Sequence, residues 1–314
     1  MKKLKVFAPG TIANLGPAFD ILGVALDNIG DTIEVKENNE GVLKIKEIKG
    51  KNKRIPFETN KNAVTLGFLE VKKILNIDFG VDIVLEKGLP ISGGLGGSSA
   101  SAVAGVYAAN LLAGNKLKKE ELLPACVNVE GILSGYHADN VAPSLLGGFI
   151  LINSYNPLSV VKLGIIKDLY FAIAHPDFEL ETRKLRAVLP KHIELKQHVF
   201  NSSKAASIIA AIMKKDVKLL GKSIQDNIVE PVRSKFIPEF YDVKKAALDA
   251  GAYGSSISGS GPSVFAVTDD KKKAESIGKA MTEVFSKKNI ESEFYVSKVS
   301  MEGVKKLFNK LFLR

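Results

Sequence analysis

Pro90–Gly105 reads PISGGLGGSSASAVAG, with five glycines and four serines running into small, helix-compatible residues. The apolar stretch Val81–Leu85 stands shortly before it. Residues without a Cβ reach left-handed dihedrals at little cost, so such a loop can turn successive backbone N–H groups inward around an anion. A helix beginning at Ser98 would add its unpaired N-terminal N–H groups and the positive end of its dipole. Ser98 and Ser99 place hydroxyls where a phosphate or its metal would sit. The stretch reads as a phosphate cradle between a strand and a helix. The plain alternative is a glycine-rich turn without a ligand.

Two familiar cradles do not fit. A P-loop requires Gly-Lys followed by Ser or Thr, and no lysine stands between Leu89 and Asn115. A dinucleotide fingerprint requires a glycine at the position that Ser99 occupies. The protein-kinase signatures His-Arg-Asp and Asp-Phe-Gly are also absent.

Three further segments stand out. Pro9–Leu26, PGTIANLGPAFDILGVAL, reads as a loop after the short strand Leu4–Ala8 and carries Asn14, Gly16, Pro17 and Asp20. Glu130–Phe149, EGILSGYHADNVAPSLLGGF, carries Glu130, His137, Asp139 and Asn140. Gly251–Val267, GAYGSSISGSGPSVFAV, is a second glycine-serine loop between two strand-like runs. In combination the four segments resemble the GHMP small-molecule kinases, most closely those whose substrate is homoserine. The resemblance runs from Pro9 to about Val299. Its most discriminating pieces are ANLGPAFD, GYHADNVAP with the following GGF, ETRKLRAVLP and EPVRSKFIPEF. Ala18 and Gly97 depart from the pattern, where the family carries Gly and Ser.

The resemblance implies an ATP-dependent transfer of phosphate to the hydroxyl of L-homoserine, with Mg²⁺, by a homodimer. It places ATP on Pro90, Ile91, Ser92, Gly93, Gly94, Leu95, Gly96, Gly97, Ser98 and Ser99. Asn62 enters as a candidate for the adenine pocket, and Gly259, Ser260 and Gly261 close the site from the second domain. Mg²⁺ keeps oxygen ligands, and Ser98 with Glu130 is the implied pair. For the amino acid, Asp20 with Asn14 is assigned to the ammonium. Arg186 and Arg233, helped by His137, are assigned to the carboxylate, because a guanidinium fork matches it bidentately. Asn140 orients the hydroxyl. With Asp20 committed and no lysine or histidine placed for proton transfer, the reading expects no dedicated general base. Each residue keeps a structural alternative. Asp20 could cap a turn, and Asp139 and Asn140 could form Asx turns before Val141. Arg186 and Arg233 could pair with Glu181 and Glu230, His137 could be structural, and Glu130 could be exposed. The competing functions are a GHMP kinase for another small alcohol (mevalonate, shikimate or a sugar) and a non-catalytic binding module of the same fold.

Composition fits a cytoplasmic enzyme with one large or two modest domains in 314 residues, 46% of them apolar and 25% charged. Cys126, a single cysteine, lies on a helical pattern and fits a reducing compartment. The start MKKLKVF is positive, but Pro9–Gly10 ends its apolar run too early for a signal peptide. No apolar stretch is long enough to span a bilayer. The net charge of +10 comes from scattered lysines, with no basic arm and no interleaved aromatics, so no nucleic-acid partner is expected. His175, His192 and His198 show no metal-ligand spacing.

Strand and helix signals mix without regular alternation, which argues an α+β fold. The resemblance makes this a ribosomal S5 domain 2-like N-terminal domain, 1–157, joined to a ferredoxin-like C-terminal domain, 158–314, with the seam at Pro157. The tail Val304–Phe312 shows helical amphipathicity, with lysines opposite Val304, Leu307, Phe308, Leu311 and Phe312.

Overall fold

In the computed structural model, residues 2–50 and 55–308 are described. The N-terminal half holds β1 (Lys3–Ala13), β2 (Leu22–Asn38), β3 (Leu43–Lys49), α1 (Ala63–Leu75), β4 (Gly80–Glu86), α2 (Gly97–Leu112), α3 (Lys119–Leu133), α4 (Val141–Leu146), β5 (Phe149–Tyr155) and β6 (Leu158–Gly164). The C-terminal half holds β7 (Tyr170–Pro176), α5 (Thr182–Ala187), α6 (Leu195–Lys214), α7 (Val217–Ser223), α8 (Glu230–Arg233), α9 (Phe240–Asp249), β8 (Gly254–Ile257), β9 (Val264–Thr268), α10 (Lys271–Ser286), β10 (Ser292–Ser297) and β11 (Lys305–Leu307).

The first sheet runs β11-β1-β2-β4-β3 and branches at β2. The 17 residues of β2 are long enough to serve two neighbours. Its beginning pairs with β5, at Leu22 opposite Leu151, and its end pairs with β4, at Thr32 opposite Glu86. The segment expected as a loop after Ala8 instead continues as strand to Ala13. Pro9–Gly10 interrupts the apolar alternation but not the strand, because a register shift between Pro9 and Thr11 absorbs it. Only residues 14–21 form the loop.

Helix α2 is the axis of the N-terminal half. It is buried on nearly all sides, between β1 and β2 below and α1, α3 and α4 above. That position explains its run of Ala, Ser and Gly. A Cβ on Gly105 would stand 2.1 Å from the Val64 carbonyl oxygen, and one on Gly67 would stand 2.7 Å from that of Ala102. The α1 and α2 backbones therefore cross in direct contact, which only glycine permits.

The second sheet, β10-β7-β9-β8, is antiparallel and buried on both faces. Strand β7 alternates accordingly. Ala172 and Ala174 face α9 and α10, while Phe171 and Ile173 face α6, α7 and the core of the first sheet. The two halves thus share apolar core. The α+β expectation agrees with this order, in which β3 and β4 form the one parallel pair among the described residues.

Two expectations need correction. Pro157 is not the seam: it lies in the turn of the β5–β6 hairpin, and the first sheet continues to Gly164. Hydrogen bonding across that hairpin overrides the local break signal of Asn-Pro. The tail is not helical where it is described. Val304 is buried, and Lys305–Leu307 form β11 against β1, with Leu307 opposite Lys5. Strand pairing satisfies the backbone there, and the Lys119 ammonium bonds the carbonyls of Glu302 and Val304. The remaining positions of the expected helix, 309–312, lie outside the described residues.

Candidate active site

One cleft of about 450 Å³ opens where β1, the glycine loop, α3 and α5 meet the β8–β9 loop. At its first end lies the glycine loop. Ser92, Gly94 and Gly96 have φ of 50°, 78° and 65°, the left-handed region, and Gly96 caps α2 in that conformation. The loop carbonyls are held by neighbouring groups. The Ser263 hydroxyl donates to Gly93 O, and the Ser258 hydroxyl donates to Gly94 O at 2.7 Å. Thr11 N–H donates to Leu95 O at 3.1 Å, and the Lys87 ammonium donates to Gly97 O. With the carbonyls fixed, the N–H groups take the other side. Among the described residues no carbonyl accepts from the N–H of Gly94, Gly96, Gly97, Ser98 or Ser99. Open donors at a helix N-terminus suit a phosphate.

Beneath this loop Lys87 and Asp31 form a buried ion pair. The Asp31 carboxylate also accepts from the Ser101 hydroxyl at 2.6 Å and from the N–H groups of Gly88 and Leu89. Strand pairing of β2 with β4 brings the two residues together from 56 positions apart.

Glu130 projects from α3 and is buried, not exposed. It accepts from the Ser99 hydroxyl at 2.9 Å and from that of Ser134. Burial pushes its pKa upward, against those two hydrogen bonds. Among the described residues no cation pairs with it. Ser98 lies exposed at the start of α2, on the same cleft. A buried carboxylate with hydroxyl neighbours and no cation is a donor set that fits a hard divalent ion, completed by phosphate oxygens.

The other end is built around Phe19. Arg186 and Arg233 each lie over its ring, at 5.0 and 5.1 Å. Arg186 does not pair with Glu181. It forks onto Asp20 at 2.7 and 2.8 Å and donates toward His137 Nδ1 at 3.2 Å. Arg233 does not pair with Glu230, which is held by Lys244 and Ser256. Its guanidinium is buried and donates to Gly259 O at 2.9 Å. Burial, with the nearby Arg186 charge, lowers its pKa to about 10. His137 is pushed below its ordinary value by burial and by Arg186. Asn14, at φ 72°, accepts from Asp20 N–H at 3.0 Å and donates to Gly259 O at 3.0 Å. It thus ties the first loop to the C-terminal half. Among the described residues, the buried Nε atoms of Arg186 and Arg233 and Nε2 of His137 have no partner. Such orphans are rare in a finished interior and mark where a polar ligand belongs.

Asn140 bridges the two ends, its Oδ1 accepting from the Thr11 hydroxyl at 2.7 Å. The cleft gathers Asn14, Asp20, Ile91, Ser92, Gly93, Gly94, Gly96, Gly97, Ser98, Ser99, Glu130, His137, Asn140, Arg186, Arg233, Gly259 and Ser260. Pro90, Leu95 and Gly261 do not line it; Leu95 is in the core. Asn62 does not line it either. Its side chain caps α1 at Val64 N–H and bonds Pro56 O, so it fixes the segment whose Ile55 and Pro56 do line the cleft. Lys87, Asp31, Phe19, Thr182, Ser258 and Ser263 join the site without having been singled out. Cys126 is buried and its thiol is pushed up by burial, as expected of an inert core residue. No helix among the described residues is long and apolar enough to cross a membrane.

The GHMP kinases N terminal domain family matches residues 62–148, and the GHMP kinases C terminal family matches residues 208–287. Homoserine kinase of Chloroherpeton thalassium is 40% identical, over 96% of this chain and 99% of the relative. That of Arabidopsis thaliana is 43% identical, over 90% and 79%. The crystal structure of homoserine kinase from Cytophaga hutchinsonii superposes with a TM-score of 0.93 at 46% identity, covering 98% of each chain. Fold, glycine loop and near full-length similarity agree: the chain belongs to the homoserine kinases of the GHMP kinase family.

Proposed function

We propose that this cleft transfers the γ-phosphoryl group of ATP to the side-chain hydroxyl of L-homoserine, giving O-phospho-L-homoserine and ADP, a step toward threonine. The observation that carries the reading is the pairing, in one cleft, of unspent loop N–H groups with two arginines and an aspartate. The loop N–H groups of Gly94–Ser99 receive the phosphates, and Ile55, Pro56 and Lys61 offer a pocket for the base. Ser98 and Glu130 would hold Mg²⁺, which shields charge on the transferring group. At the other end the Asp20–Arg186 pair is a charge pattern that a zwitterion can replace. The substrate ammonium takes Asp20, while its carboxylate takes Arg186 and the orphaned Nε donor of Arg233. A substrate without a carboxylate would leave Arg186 no acid but Asp20 and the buried Arg233 no acid at all, which disfavours a sugar. Asn140 orients the hydroxyl toward the glycine loop. The same reading makes the chain a cytoplasmic homodimer. Leu195, Val199 and Met213, exposed on α6, offer apolar surface for the second copy.

An ADP-release assay over L-homoserine, L-threonine, mevalonate, shikimate and galactose tests the substrate. Homoserine should turn over best. Turnover of mevalonate with none of homoserine would reject the reading.

Arg233→Leu should raise KM for homoserine roughly ten- to a hundred-fold, since a bond to a charged group is worth about 1.5–3 kcal/mol. KM for ATP should stay nearly unchanged. Arg233→Lys should recover part of the loss, keeping the charge without the planar fork. Steady-state kinetics with each substrate varied in turn decide, and a defect confined to ATP would move Arg233 out of the amino-acid site.

Ser263 acts on the opposite side, through Gly93 O and through His175 Nδ1 at 3.0 Å. Ser263→Ala removes a hydrogen bond worth about 0.5–1.5 kcal/mol and should raise KM for ATP about two- to ten-fold. KM for homoserine should not follow. Equal changes in both constants would show that Ser263 serves the scaffold only.

A further inference from the structure

Asp20 holds a backbone conformation that residues with a Cβ seldom adopt. Its φ is 62°, in the left-handed region, and among the described residues no backbone group bonds its own N–H or C=O. Two side chains do so instead. Asn14 Oδ1 accepts from the N–H at 3.0 Å, and the Tyr155 hydroxyl donates to the C=O at 2.9 Å. A residue keeps a sparsely populated conformation only where its surroundings over-determine it. Asn14 already has a place in the cleft. Tyr155 has none: it ends β5, stands 135 positions from Asp20 and does not line the cleft.

The hydroxyl works from a fixed anchor. It accepts from Ala138 N–H at 3.3 Å, which occupies a lone pair and leaves its proton for Asp20 O. The anchor segment is clamped from two sides. Ala142 N–H bonds Ala138 O at 2.8 Å, closing the turn into α4. On the sheet side, a Cβ on Gly23 of β2 would stand 1.8 Å from Asp139 O, so glycine there lets the segment pack directly on the strand. Strand β5 is fixed in turn, with Leu151 opposite Leu22 and Ile152 N–H bonded to Ile21 O at 2.8 Å. Between these fixed parts, Asp20 is the residue whose direction the hydroxyl settles.

We infer that Tyr155 is a positioning residue for the substrate ammonium: its hydroxyl aims the Asp20 carboxylate into the cleft without touching the ligand. The inference rests on the homoserine reading, in which Asp20 receives the ammonium. An acid aimed before its ligand arrives binds without first losing conformational freedom. The Arg186 fork also holds that carboxylate. On the homoserine reading, however, Arg186 turns to the substrate carboxylate, so the backbone ties of Asp20 are the ones that persist in the complex. Of these, the Asn14 tie fixes the peptide before Asp20 and the Tyr155 tie fixes the peptide after it.

The tie is suited to permanence. Burial pushes the Tyr155 pKa up to about 12, against the bond from Ala138 N–H, so the hydroxyl keeps its proton throughout the neutral range. The ring and the hydroxyl can also be separated. The ring packs at the end of β5, half-exposed, whereas the hydroxyl alone reaches the two loops.

Tyr155→Phe keeps the ring and removes the hydroxyl. KM for homoserine should rise roughly three- to thirty-fold, the scale of one or two neutral hydrogen bonds, while kcat and KM for ATP stay within about two-fold. Competitive inhibition against homoserine supplies a second readout that a scaffold role would not give. L-2-aminobutyrate carries both charges of the substrate, and its Ki should rise in step with KM for homoserine. 4-Hydroxybutyrate lacks the ammonium, and its Ki should stay within about two-fold. An unchanged KM for homoserine in Tyr155→Phe would overturn the inference. So would a rise shared equally by KM for ATP or by the Ki of 4-hydroxybutyrate. Failure of Tyr155→Phe to fold would overturn it too, because the hydroxyl would then hold the scaffold and not the direction of Asp20. Absence of any homoserine turnover in the unsubstituted protein would instead remove the substrate reading, and the Tyr155 role with it.

Discussion

The site depends on a constraint set beneath the glycine loop. Four loop carbonyls, those of Gly93, Gly94, Leu95 and Gly97, are taken by Ser263, Ser258, Thr11 and Lys87. A peptide plane whose carbonyl is fixed on one side presents its N–H on the other. The donors that could hold phosphate are therefore oriented by the groups that hold the loop carbonyls. Lys87 takes its share only because Asp31 holds its ammonium, and Asp31 is fully satisfied by four donors. A buried ion pair is tolerable on such terms and would be a liability with either partner missing. The pinning also joins the halves of the molecule, since Ser258 and Ser263 belong to the C-terminal sheet region.

The amino-acid end follows a different logic. Nothing there is locked by a complete hydrogen-bond set. Asp20 and Arg186 neutralise one another, Phe19 carries two guanidinium groups, and three buried nitrogens have no partner among the described residues. An internal ion pair of this kind keeps two charged groups paired until a ligand with both charges replaces it. On the proposed reading, preorganisation is concentrated at the end that would hold phosphate, where transition-state charge develops, and exchange is left to the end that would select the substrate.

Much of this was legible in the sequence, for identifiable reasons. The glycine loop, the α2 start and the α+β order depend on local composition and short periodicities, and the structure agrees with them. Arg186, Arg233, Asp20 and His137 came from resemblance, and the cleft brings them together. Lys87 and Asp31 were not legible, because their pairing exists only through the β2–β4 ladder. Asn62, named for the adenine pocket, caps α1 in the structure, and an Asn before a helix reads the same in sequence whether it caps the helix or serves a ligand. The seam at Pro157 and the helical tail failed for one reason. Long-range strand pairing, β5 with β6 and β11 with β1, overrides local turn and periodicity signals.

The two-ended cleft is tested most directly by a crystal structure of the chain with L-homoserine and a non-hydrolysable ATP analogue. The account predicts the phosphates on the N–H groups of Gly94–Ser99, the carboxylate on Arg186 and Arg233 with the Asp20–Arg186 pair opened, and the hydroxyl beside Asn140 and facing the γ-phosphate. An amino acid bound with the Asp20–Arg186 pair intact, or phosphates away from the glycine loop, would contradict it.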